Sequence, residues 1–232
     1  MLITKGIYGS RKKEEIMEDY AGKTVVITGG TSGLGFALAK ILGGRGASIV
    51  ITGRREEKGA EAVEKLQAEG VSARYLRQDV SSESDWNNLA FTVKSEFGGV
   101  DYLFNNAGVM LQPNALMKTS VSDWKWIMDT NFWGSLYGLR VFSGLMFTQP
   151  EGGRIVTTAS TAGVSAFSGW APYSVTKTAL VRLVENYQAE AIKFELDKVK
   201  YNVSLPGVFE SEIANSTLHR NEEYNNINGN GQ

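Results

Sequence analysis

Residues 24–35, TVVITGGTSGLG, run from an apolar β-branched stretch through a glycine-rich turn into an amphipathic segment. Leu34, Ala37, Leu38, Ile41 and Leu42 follow at helical spacing, one apolar face over two turns. Strand, glycine turn and helix in that order is the context in which such a turn cradles phosphate. Gly29 permits the tight turn, Gly33 lets backbone approach a pyrophosphate, and Gly35 lets the helix pack near the strand. Thr31, Ser32 and Leu34 complete the candidate cradle, whose first-turn N–H groups face the anion. The spacing is Gly-x-x-x-Gly-x-Gly rather than the commoner Gly-x-Gly-x-x-Gly. The competing reading is an ordinary strand-to-helix turn whose glycines serve geometry alone.

Alternation continues along the chain. Strands are predicted at Thr24–Thr28, Ser48–Thr52, Ala73–Leu76, Val100–Asn105, Arg154–Thr158 and Tyr201–Leu205, mostly short and apolar, as strands buried on both faces should be. Helical patterns lie between them, two with capping-box starts at Ser82-x-x-Asp85 and Ser120-x-x-Asp123. The expected fold is α/β, a doubly wound, mostly parallel six-stranded sheet of Rossmann type, with ligands beyond the carboxyl ends of the strands. At 232 residues one domain is expected, over 23–213, after a polar lead at 1–22 and before a polar tail at 214–232. The stretch Val208–Gln232 holds six Asn and few large apolar residues after Phe209 and Ile213, which predicts loose order, or a lid over Phe209–Leu218.

Several function classes fall away. A net charge of −1 gives no reason to expect nucleic acid or an anionic membrane as partner. Without cysteine there is no disulfide or thiolate chemistry, and with His219 as the lone histidine a zinc site or Ser-His-Asp triad has no ligands to draw on. No apolar run approaches a membrane span and the first residues lack a signal-peptide core, so the chain is expected to be cytoplasmic.

Tyr173 and Lys177, in YSVTK, stand four apart and thus on one helix face. An ammonium beside a phenol favours its ionised form, and a phenol so tuned exchanges a proton near neutral pH, as alcohol–ketone interconversion requires. Pro172 suits the first turn of that helix, and Leu180, Leu183, Val184 and Tyr187 give it an apolar stripe. Ser160 stands just past the strand RIVTT, where its hydroxyl can donate to a developing alkoxide. Asn131, among Trp126, Phe132 and Trp133 in a helical stretch, is expected to be buried and so to need a partner.

Taken in order, TGGTSGLG at 28–35, Asp79-Val80, NNAG at 105–108, Asn131, Ser160, Tyr173-x-x-x-Lys177 and Pro206-Gly207 resemble the short-chain dehydrogenase/reductase family across about 23–213. The 13 positions from Ser160 to Tyr173 also match. The resemblance implies Tyr173 as general acid/base, Ser160 as donor to the substrate oxygen, Lys177 as ligand of the nicotinamide ribose, and Asn131 as holder of a relay water. It implies adenosine contacts from Asp79, Val80, Asn106, Ala107 and Gly108, and further cofactor contacts from Pro206 and Gly207.

NADP(H) is expected over NAD(H). Gly53 stands where the family's acid would accept from a ribose hydroxyl, with Arg54 and Arg55 next. An arginine fork suits a 2′-phosphate, and Arg54 is the candidate. Met110, Leu111, Met117, Phe167 and Trp170 make the segments over the nicotinamide apolar, so an apolar or aromatic carbonyl or secondary alcohol is expected, bound by Ser160, Phe167, Trp170 and Tyr173. The family's usual seventh strand has no counterpart before Gln232, which would leave the sixth strand as an open edge and favour a homo-oligomer, dimer or tetramer. An NADP-binding regulatory or scaffolding protein is the alternative, although such a module has no need of Ser160 or Tyr173.

Overall fold

The computed structural model describes residues 20–207 and 212–224. Six parallel strands form one sheet, β1 (Thr24–Thr28), β2 (Ser48–Gly53), β3 (Ala73–Arg77), β4 (Tyr102–Asn105), β5 (Gly153–Thr158) and β6 (Val199–Ser204). They lie in the order β3-β2-β1-β4-β5-β6. Winding thus starts at β1, runs outward one way to β3, then returns to lie beside β1 with β4 and runs out the other way. The switch between β1 and β4 opens a crevice at their carboxyl ends. The fold class and each predicted strand are as the sequence led one to expect, with edges shifted by a residue or two. In register, Val25, Val26 and Ile27 sit beside Ile49, Val50 and Ile51 on one flank and beside Tyr102, Leu103 and Phe104 on the other.

Both sheet faces are covered, which is why the central strands are apolar without alternation. Val25, Ile27, Ile49 and Ile51 pack under α1 (Gly33–Gly43) and α2 (Glu56–Ala68) through Ala39, Leu42, Ala62 and Leu66. Tyr20, at the end of the N-terminal lead, joins this cluster with its ring centroid 5.3 Å from that of Tyr102. On the other face Val26, Val50, Leu103 and Ile155 meet α3 (Glu83–Phe97), α5 (Gly134–Phe147) and α6 (Ala171–Lys193). Trp86 and Phe142 cross edge-on there, both fully buried.

Two local features place functional side chains. The capping box at α4 (Val121–Met128) is complete: Ser120 Oγ accepts from Asp123 N, and Asp123 returns its carboxylate to Ser120 N at 2.9 Å. That at α3 is only half formed: the Asp85 oxygens accept instead from the Asp79 backbone N–H at 2.8 Å and from Ser82 Oγ at 2.9 Å. Between α4 and α5 the stretch predicted as plain helix makes one turn of π-helix, Asp129–Trp133. Such a turn inserts an extra residue into the helical period, and here Asn131 lies in it, fully buried.

A candidate active-site cleft

The carboxyl ends of β1, β2, β4 and β5 bound a cleft of about 440 Å³, in the range of small-molecule and cofactor sites. Its floor is the glycine turn. Gly29 has φ +65°, and an added Cβ would come within 3.0 Å of Ala107 Cα. At Gly35 a Cβ would meet the Gly29 carbonyl at 2.4 Å, so turn and helix touch backbone to backbone. Thr28 Oγ1 accepts from Asn106 N and Ala107 N at 2.9 and 3.0 Å, tying the NNAG segment to the turn.

Every residue singled out in the sequence as a cofactor contact lines this one cleft: Gly29, Thr31, Ser32, Gly33, Leu34, Gly35, Arg54, Asp79, Val80, Asn106, Ala107, Gly108, Tyr173, Lys177, Pro206 and Gly207. Of the predicted substrate residues, Ser160, Tyr173 and Trp170 line it. Phe167 instead stacks on Trp170 with centroids 5.3 Å apart, and Trp170 meets Tyr173 edge-on at 6.4 Å. Phe167 is 37% exposed beside Trp170 and does not itself line the cleft. Met110 faces the cleft, whereas Met117 is 95% exposed.

Tyr173 and Lys177 sit one turn apart on α6, which starts with Pro172 in its first turn. Ser160 and Tyr173 both line the cleft, and Ser160 Oγ accepts from Ala162 N at 3.1 Å. Burial pushes the Tyr173 phenol above the ordinary 10.0, with Ser160 pulling the other way. The lowering expected from Lys177 is absent for a geometric reason: its Nζ donates to the Thr158 carbonyl at 2.8 Å and lies 5.5 Å from the Tyr173 ring centroid. Burial in turn brings the Lys177 amine down to about 8. Asn131 clamps the loop after β4: its Oδ1 accepts from Val109 N at 2.8 Å, and its Nδ2 donates to Val109 O at 2.9 Å and Thr176 Oγ1 at 3.1 Å.

The opposite end of the cleft is polar. Asp79 is half-buried, which opposes ionisation, yet hydrogen bonds from Ser81 and the nearby Arg54 charge hold it below the usual carboxylate range. Gln78, overlooked in the sequence, lines this end almost fully buried; Thr52 Oγ1 donates to its Oε1 at 2.7 Å, and among the described residues its Nε2 has no hydrogen-bond partner. Its place before Asp79 at a strand end was the available signal. The backbone-to-backbone glycine cradle, with its helix N-terminus, fits the pyrophosphate of a nicotinamide dinucleotide.

The segment Glu212–Tyr224 closes one side. Ile213 packs with Val109, Trp126 and Tyr173, and Ala214 O accepts from Gln112 Nε2. Arg220 lies over the Trp126 ring at 5.3 Å, pairs with Asp123 and donates to Ser122 Oγ at 2.8 Å. Within the proposed lid, Phe209 lies outside the described residues. No described helix is long and apolar enough to cross a membrane, and no described cluster of three or more acidic, His or Cys side chains could hold a metal ion.

The sequence pattern of the short chain dehydrogenases matches residues 23–222. A C alpha-dehydrogenase of Sphingobium sp. strain SYK-6 is 30% identical over 208 residues, 90% of this chain and 67% of the relative. An A-factor type gamma-butyrolactone 1'-reductase (1S-forming) of Streptomyces virginiae is 36% identical over 204 residues, 87% of this chain and 77% of its own length. A short chain dehydrogenase/reductase from Burkholderia phymatum, solved in complex with NAD, superposes with a TM-score of 0.85 at 32% identity, covering 93% of this chain and 76% of that one. The chain therefore belongs to the short chain dehydrogenase family of oxidoreductases.

Proposed function

We propose that this short chain dehydrogenase interconverts an apolar or aromatic carbonyl compound and its secondary alcohol, with NADP(H) as redox partner. The observation that carries the reading is the joining in one cleft of the glycine cradle with Tyr173, Ser160 and Lys177. Relatives named as a dehydrogenase and as a reductase support chemistry of this kind in either direction. A bound nicotinamide would supply or accept the hydride; the protein supplies position and protons. In carbonyl reduction the Tyr173 hydroxyl donates its proton to the oxygen that becomes the alcohol, and Ser160 Oγ donates a second hydrogen bond that stabilises the developing charge. Lys177 holds the ribose end and, once turned from the Thr158 carbonyl toward the phenol, favours the phenolate. The side-chain amide of Asn131 is already committed to Val109 and Thr176, and its backbone carbonyl accepts from Ser135 Oγ at 2.7 Å, so a relay water would have to share that carbonyl.

The Burkholderia structure carries NAD; here β2 ends at Gly53, and Arg54 and Arg55, which follow it, line the cleft. A cation and no acid at that point favours a 2′-phosphate. The test is NADPH oxidation by the purified protein against a panel of aldehydes, ketones and quinones, alongside calorimetric titration of NADPH and NADH. Turnover on none of them, or a preference for NADH, defeats the proposal.

A further inference from the structure

The donors that would meet a 2′-phosphate are held in this structure by the chain's own tail. Arg54 Nη2 donates to the His219 carbonyl at 2.8 Å, and Arg54 Nη1 donates to Asn221 Oδ1. Arg55 Nη1 lies 2.9 Å from His219 Nε2. The Asn221 amide is oriented by its other end, which donates to Asp79 Oδ2 at 3.3 Å. Between the two contact residues Arg220 is pinned to α4 by Asp123 and Ser122, so His219 and Asn221 are presented to the arginines from a fixed point. Two acceptors on one guanidinium fork is the arrangement a phosphate uses.

We propose that residues 219–221 are specificity determinants that compete with a 2′-phosphate for Arg54 and Arg55. The inference rests on the assignment of Arg54 to that phosphate. A nucleotide with a free 2′-hydroxyl makes no claim on these donors and binds with the tail contacts intact. One with a 2′-phosphate binds only by exchanging the Asn221 oxygen for its own. The tail therefore trims the preference that the two arginines would otherwise give, and it trims it for one nucleotide class alone.

The test is calorimetric titration of 2′,5′-ADP and of 5′-AMP into wild type, Asn221→Ala, Arg54→Met and the double variant. Asn221→Ala is expected to tighten 2′,5′-ADP five- to tenfold, with 5′-AMP held within twofold, and the gain should vanish in the Arg54→Met background. If Arg54→Met lowers 2′,5′-ADP affinity but Asn221→Ala leaves it unchanged or weakens it, the competition is overturned while the Arg54 assignment stands. Equal tightening of both nucleotides also overturns it, as general opening of the cleft. If Arg54→Met leaves the ratio of the two affinities unchanged, the Arg54 assignment falls and the competition with it.

Discussion

Replacing Lys177 by methionine keeps the stem of the side chain and deletes the ammonium. In the unfolded chain the amine holds its proton up to about pH 10.5, in the folded chain only up to about 8. Across that window the unfolded state binds the extra proton, so stability rises with pH. Below about pH 8 both states are protonated and the fold bears the full cost of a buried charge. A fall from 10.5 to about 8, at about 1.4 kcal/mol per pH unit, makes that cost about 3 kcal/mol. The methionine variant escapes it but leaves the Thr158 carbonyl without its charged donor, a loss of about 1–3 kcal/mol. At pH 7 the two proteins should therefore differ by less than about 2 kcal/mol. Between pH 7 and 10.5 the difference should move by about 3 kcal/mol in favour of wild type. Urea unfolding of both proteins at a series of pH values measures this, because every other group titrates in both and subtracts out. Parallel stability curves would refute the buried-ammonium account.

Tyr173→Phe should lower turnover by about 10²–10⁴ with cofactor affinity nearly intact; more than a tenth of wild-type activity on a good substrate would sink the proposed acid/base role. NADPH should bind at least tenfold more tightly than NADH, a difference of about 1.4 kcal/mol that one charge-assisted pair can supply; calorimetry of both decides it. Gly138→Ala should destabilise the fold by about 1–3 kcal/mol, since its Cβ would lie 2.6 Å from the buried Trp86 ring and 2.9 Å from Asn105 Nδ2; an unchanged urea midpoint would show that the ring can yield. Gly35→Ala should weaken NADPH and NADH alike by tenfold or more, because its Cβ would press on the Gly29 carbonyl at 2.4 Å and displace the cradle; unaltered titrations of both cofactors would mean the turn does not bind phosphate.

Most of the strands were legible because they are short apolar runs closed by a turn residue, and the centre of a sheet buried on both faces needs no finer pattern; β3 (ARYLR) and β6 (VKYNVS) are the more polar edge strands. The cleft was legible for the related reason that parallel winding brings distant strand ends together: once β1, β4 and β5 are placed, Gly33, Ala107 and Ser160 have few other places to go. What the residues did not reveal is set by contacts between segments far apart in sequence. The π-turn at Asp129–Trp133 lacks a local signal, since its registry answers to the hold of Asn131 on Val109 and Thr176. Composition suggested looseness for Val208–Gln232, where four of the six Asn lie beyond residue 224; within it, the stretch 212–224 is described. That stretch has three anchors, Ile213, Arg220 and Tyr224, whose partners sit on the cleft wall and α4 or just beyond that helix, at Asp129. The stacking of Phe167 on Trp170, a contact between two residues of one loop, was likewise not legible from composition.

Asp123 joins two devices that sequence alone would treat as separate. One of its oxygens completes the cap of α4, and the other holds Arg220 of the tail. Burial disfavours its charge, yet Arg220 and the Ser120 hydrogen bonds keep the carboxyl below its ordinary 3.8. Its contribution is present above that ordinary value and is lost as pH falls through the depressed one. A single proton there weakens the start of a helix and removes one of the holds on Arg220, whose bond to Ser122 and place over the Trp126 ring remain. Asp123 thus couples two distant parts of the chain as a shared rivet: acid weakens the helix cap and the tail contact in the same step, and neither can be strengthened through Asp123 without the other.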